Sequence, residues 1–180
     1  MLNSTRNIKI ALGILVIFSI VILSIYYWLG GFNQLEIQTV SMNDYYVVGH
    51  YFEGTYKSDT VSSYFMEIKQ MIETRKLNGI LTIVYYQEPI GKRGMMKSFI
   101  GAALEDTTVT IPPGYEQRLI QVDKVVQAKV DSHVAVMPNP EKINRRLREH
   151  AQGQGLELVN FSIERYLSDW EVITEIPVVP

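Results

Sequence analysis

Two kinds of hydrophobic pattern divide the chain. From Ile10 to Leu29 the residues are uninterrupted by charge, and apolar side chains recur on every helical face. At about 1.5 Å rise per residue, such a helix is about 30 Å long, the thickness of a bilayer's hydrocarbon core. Ser19 and Ser24 are tolerated there because a helical serine can bond back to a carbonyl one turn earlier. Beyond this run the pattern becomes mixed. Leu35–Gln38 begins a strand, and Tyr45–Phe52 is a β-branched and aromatic strand closed by Gly54. After the cap residues Ser58 and Asp59, Val61, Phe65, Ile68 and Ile72 recur at helical spacing, predicting a helix to about Lys76. Asn78-Gly79 ends it, Ile80–Tyr86 is a buried strand, Lys92–Gly94 a polar turn, and Lys97–Leu104 a further strand.

The same order then returns. Pro112-Pro113-Gly114 separates the halves, and Gln117–Val136 holds strand residues, notably Val125–Val130. Asn139-Pro140-Glu141 reads as an N-cap, a first-turn proline and an acidic first turn. Ile143, Leu147, His150 and Ala151 line one helix face, and Gly153 and Gly155 end it. Leu156–Leu167 and Trp170–Val178 read as strands about a turn at Ser168-Asp169. In that last strand Glu171 and Glu175 read as the solvent side of a sheet edge. The fold class expected is therefore α+β: duplicated β-α-β-β units forming a pseudo-twofold antiparallel sheet domain, with helices on one face and one transmembrane helix in front. The boundaries are 1–9 for the N-terminus, 10–29 for the membrane helix, 30–34 for a short linker and 35–180 for the domain. Repeat one covers 35–111 and repeat two 112–180. Laying LTIVYYQEP at 81–89 on FSIERYLSD at 161–169 puts Tyr86 on Tyr166 and Val84 on Glu164.

Flanking residues refine the membrane reading. A cleavable signal peptide has a shorter apolar region and a small-residue cleavage site, whereas this run ends in Tyr26, Tyr27 and Trp28, an interfacial aromatic belt. Arg6 and Lys9 precede the helix and the next basic residue is Lys57, so the positive-inside rule puts the N-terminus in the cytoplasm and the domain on the far side. Charge and composition exclude other classes. The net charge is −2, and with Arg6 and Lys9 set aside the remainder is more acidic still, unlike a nucleic-acid binder. Arg145, Arg146 and Arg148 are diluted by Glu141 and Glu149. The absence of Cys excludes disulfides, thiolate metal sites and cysteine catalysis. His50, His133 and His150 are scattered, so no metal site and no cofactor is expected.

The duplicated unit, the VVGHYFEGTY opening, the VYYQEP strand end and the SIERYLSD strand and turn resemble the GyrI-like domain, the effector-binding domain of multidrug-responsive regulators. The resemblance covers Gln34 to Pro177. It implies a pocket between the repeats, lined by aromatics, that binds hydrophobic or cationic small molecules. The family's central carboxylate falls on Glu164, within Ile163-Glu164-Arg165-Tyr166, and its tyrosines fall on Tyr86, Tyr166 and, after Gly54-Thr55, Tyr56. The second repeat has Asp131-Ser132-His133 where the first has that Gly-x-Tyr. No DNA-binding segment precedes the domain, since the apolar helix stands there, so the regulator's function is not carried over.

Period-two alternation puts Ser162 and Tyr166 on the face of Glu164, with Phe161 and Ile163 opposite. A carboxylate among aromatics attracts cations, and tyrosine faces add about 0.5–2 kcal/mol each. A plain surface Glu paired with Arg165 or Lys129 is the alternative. Trp170 is a candidate pocket wall or core residue. Tyr85 and Tyr86 straddle the sheet, and Tyr86 has the better claim because it matches Tyr166. The leading expectation is thus a membrane-tethered binding domain with Glu164 as counter-ion and Tyr86, Tyr166, Trp170 and Tyr56 as walls. A hydrolase of strained toxic molecules, which some relatives are, is the second, with no catalytic residue assigned beyond a pocket Glu. A non-catalytic interaction module with a filled pocket is the third.

Overall fold

A computed structural model describes residues 2–33, 35–89, 94–106, 110–133 and 136–180. Most of the turn expected at Lys92–Gly94 lies outside the described residues. Helix α1, Leu2–Trp28, contains the apolar run. Its segment Ile8–Trp28, 21 residues, is long and apolar enough to cross a membrane, and none of it is buried against the rest of the chain. The Ser19 and Ser24 hydroxyls donate to the carbonyls of Leu15 and Ile20 at 2.9 and 2.8 Å, so neither presents an unpaired donor. Gly30, at φ +78°, ends the helix in the left-handed conformation that glycine adopts without a Cβ clash. The N–H groups of Gly31 and Gly30 then bond the carbonyls of Tyr26 and Tyr27 at 2.9 and 3.0 Å.

That turn delivers the chain onto the domain. The Leu29 carbonyl accepts from the His133 N–H at 3.0 Å, and the Asn33 side-chain amide donates to the Asp131 carbonyl at 2.5 Å. The Trp28 and Trp170 rings meet edge to face with centroids 5.7 Å apart. The helix end is thus fastened to the domain at three points.

The domain is one antiparallel sheet of eight strands: β1 (Glu36–Ser41), β2 (Tyr45–Thr55), β3 (Gly79–Gln87), β4 (Met95–Leu104), β5 (Glu116–Ile120), β6 (Lys124–Asp131), β7 (Ser162–Tyr166) and β8 (Glu171–Pro177). Helices α2 (Asp59–Glu73) and α3 (Pro140–Gly153) complete it. The strand order β1-β6-β8-β7-β3-β4-β2-β5 is symmetrical about the β7/β3 pair. Exchanging β2, β3 and β4 with β6, β7 and β8 reproduces it, provided β1 exchanges with β5. Each of these two short strands pairs with the other half's long strand: β1 with β6 and β5 with β2.

Both helices cover the same sheet face. Ile68 of α2 packs with Leu81 and Ala102, while Ile143, Leu147 and Ala151 of α3 pack with Val126, Ala128 and Ile176. Asn139 and Ser58 cap the helices, their side-chain oxygens accepting from the N–H groups of Glu141 and Thr60. On the other face Val47, Val84, Phe99, Val125 and Ile163 form a separate core.

Two sequence expectations change. The strand expected over 156–167 is shorter, because Leu156, Leu158 and Val159 turn in under α3 and leave only a single bridge from Leu158 to Val178. Glu175 does not face solvent. Strand β8 lies between β6 and β7, and Glu175 is completely buried on the helix-free face, where Arg165 grips it at 2.5 Å and the Tyr45 hydroxyl donates to it at 2.9 Å. Alternation gave Glu175 its face correctly, but not that a second layer of side chains covers it.

Candidate functional site

The two helices leave the centre of the sheet uncovered between them. There β3 and β7 form the floor of a cleft of about 1160 Å³, walled by α2, the start of α3 and the β7–β8 turn. Antiparallel partners share a face, so the pairs Leu81–Tyr166, Ile83–Glu164 and Tyr85–Ser162 all lie on its side of the sheet, and Leu81, Tyr85, Glu164 and Tyr166 line it. Glu164 lies at the middle. Its Oε2 accepts from the Tyr166 hydroxyl at 2.8 Å and from the Tyr85 hydroxyl at 3.2 Å. Phe65 of α2 sets its ring edge to face against Tyr166 at 5.2 Å.

A second carboxylate stands beside the first. Glu88, just past the end of β3, accepts from Ser162 Oγ at 2.6 Å and from the Asn144 side-chain amide of α3 at 2.7 Å. Burial raises the pKa of Glu164 above the usual carboxylate range; the two tyrosine hydroxyls oppose that rise and the neighbouring Glu88 adds to it. Burial and the Glu164 charge push the Tyr85 and Tyr166 hydroxyls well above their ordinary range, so both remain protonated donors. Lys69 also lines the cleft, but its ammonium is held by Asp169 at 2.7 Å, with Glu73 at 4.0 Å. Arg165 and Lys129, the alternative partners of Glu164, are bound instead to Glu175 and Glu171. Among the described residues the arrangement is an aromatic cleft with paired carboxylates on its floor, suited to a compact apolar body bearing positive charge. The described residues include no cluster of His, Asp and Glu that could hold a metal ion.

Of the residues singled out in the sequence, Glu164, Tyr166 and Tyr56 line the cleft together, Tyr56 at its exposed rim. Tyr86 and Trp170 do not. Tyr86 lies on the helix-free face beside Phe161, with the Arg118 guanidinium 5.7 Å from its ring. Trp170 lies outside, between Trp28 and the His133 ring, the latter at 4.8 Å. Tyr85 occupies the place expected of Tyr86. The overlay that matched Tyr86 with Tyr166 used an even offset, which exchanges the faces of β3 and β7. Both helices lie on one face, so the symmetry axis is perpendicular to the sheet and only an odd offset, such as Tyr85 on Tyr166, preserves sides. Glu88 escaped notice for another reason. The register shifts between Tyr85 and Gln87, and that bulge turns the following residues relative to strict alternation.

No protein-family model matches the chain, and no curated protein matches it by sequence. Solved structures match it in fold. The EcmrR C-terminal domain is 13% identical, with a TM-score of 0.55 over 81% of this chain and 98% of that one. A hydrolase from Listeria innocua is 10% identical, with a TM-score of 0.53 over 86% and 98% of the two chains. SAV2435, solved bound to tetraphenylphosphonium, is 14% identical, with a TM-score of 0.50 over 80% and 94%. These likenesses concern fold alone, and the fold is consistent with the GyrI-like resemblance.

Proposed function

We propose that the protein is a membrane-tethered domain that captures hydrophobic or cationic small molecules in the cleft between its two halves. One observation carries the reading: Glu164 stands at the centre of an open cleft with aromatic walls, hydrogen-bonded by Tyr85 and Tyr166 and coupled to Glu88. A bound organic cation there would meet a partly desolvated carboxylate and aromatic faces together. The tetraphenylphosphonium held by SAV2435, of the same fold, supports this ligand class. The volume beside Glu164 supports binding over an interaction module with a filled pocket. Helix α1 would be the anchor, with Arg6 and Lys9 on the cytoplasmic side and the domain opposite. Titrating the full chain in neutral detergent with tetraphenylphosphonium, followed by calorimetry, tests the proposal. Saturable binding with a one-to-one stoichiometry is expected, and its absence across a panel of aromatic cations would overturn the reading.

The pair of carboxylates favours a second reading, hydrolysis. With its raised pKa, Glu164 could hold the proton that a general acid delivers, with the Glu88 carboxyl group standing beside it. Products released from a strained-ring electrophile, and lost in Glu164→Gln while the compound still binds, would distinguish catalysis from capture.

A further inference from the structure

We infer that the cleft is specific for cations that carry N–H groups, such as primary ammonium or amidinium ions, over quaternary onium ions of the same size. This rests on the binding reading and deepens it. A quaternary cation needs a counter-charge and aromatic walls, and Glu164 with its tyrosines supplies both. The floor offers more than that, and the excess is all of one kind.

Among the described residues, the donors to Glu164, Tyr85 and Tyr166, converge on its Oε2, leaving acceptor positions on Oε1. Glu88 takes one donor on each oxygen, from Ser162 and Asn144, while an ionised carboxylate can accept about four. Asn144 is nine-tenths buried on the cleft wall. Its amide nitrogen faces the Glu88 carboxylate, and its Oδ1 points the other way, buried and out of a ligand's reach, so the acceptors open to a ligand are those of Glu164 and Glu88. Lys69, a cation of the cleft wall, is held at the Asp169 side. The floor is therefore rich in acceptors and short of donors. Water fills such a deficit in an empty cleft. A ligand that displaces the water without donating leaves acceptors stranded, whereas one that brings N–H groups replaces what is lost.

Two probes with the same biphenyl body decide the matter: 4-phenylbenzylammonium and its N,N,N-trimethyl counterpart, titrated by calorimetry into the full chain in neutral detergent. The primary amine is expected to bind at least tenfold more tightly. In Glu88→Gln both cations are expected to bind more weakly, but the primary amine far more so, and the preference to collapse to about threefold or less; saturable binding of the trimethyl compound then shows an intact cleft. Equal or reversed affinity in the wild type would overturn the inference while leaving the binding reading standing, and so would a preference undiminished in Glu88→Gln. If neither probe nor tetraphenylphosphonium binds, the binding reading fails, and this inference with it. The wild-type comparison decides even where a variant does not fold.

Discussion

Replacing Glu164 by Gln is expected to weaken the binding of a hydrophobic cation at neutral pH by roughly ten- to a hundredfold, the about 1.5–3 kcal/mol of a hydrogen-bonded charge. The substitution keeps the shape of the side chain and leaves an oxygen for the Tyr85 and Tyr166 hydroxyls, so the loss isolates the charge. The pH dependence follows from the same burial. With its pKa raised, Glu164 loses its charge at a higher pH than an ordinary carboxylate, so affinity falls early on acidification. The stability of the unliganded domain moves the other way. The folded state takes up this proton above the unfolded chain's value, so Glu164 burdens the fold at neutral pH and that burden lifts as pH falls through the raised pKa. Calorimetric titrations of both forms between neutral and mildly acidic pH read both effects. Wild-type affinity retained in Glu164→Gln would remove the carboxylate from the site.

The second large effect concerns stability and lies on the opposite face. Arg165→Met is expected to destabilise the domain by about 3–5 kcal/mol, because it leaves the buried Glu175 with only the Tyr45 hydroxyl. For a domain of this size the melting temperature drops by roughly 6–20 °C. Arg165→Met combined with Glu175→Leu is expected to recover most of that loss, since the penalty is the stranded charge and not the missing attraction. Thermal melts of the single and double variants distinguish these cases. Equal destabilisation in both would mean that shape, and not charge, holds this region together.

These two effects mark where the sequence was legible. The strands and helices announced themselves through period and caps: Asn139-Pro140 begins α3 and the Tyr45–Phe52 run lies within β2. The apolar helix was legible because nothing but its length and lack of charge had to be read. Glu164 was reached by resemblance, and alternation placed its face. What failed was any inference needing the relation between two strands. The choice of Tyr86 over Tyr85 turned on one residue of register, which the side-chain pattern of a strand with apolar residues on both faces does not fix. Glu175 alternates with Thr174 and Ile176 in a way that looks half-exposed, and only Arg165 on the neighbouring strand and the far-off Tyr45 reveal it as interior. Glu88 and Asn144 meet across 56 positions of sequence, with a bulge intervening, so no local signal joins them.

The fastening of the apolar helix to the domain bears on how an affinity would be understood. His133 both lines the cleft and donates its backbone N–H to Leu29, the residue after the helix, so the cleft wall and the end of the apolar helix are one mechanical unit. Were that helix to lie in a bilayer, as proposed, the cleft would be held within reach of the lipid surface. Each CH₂ a solute buries in lipid favours it there by about 0.8 kcal/mol, so a six-carbon tail enriches a molecule in a bilayer by roughly a few thousandfold. In that arrangement the bilayer would act as a reservoir at the cleft's threshold, occupancy would follow the lipid's content of the compound, and a dissociation constant expressed in aqueous concentration would measure partition and capture together.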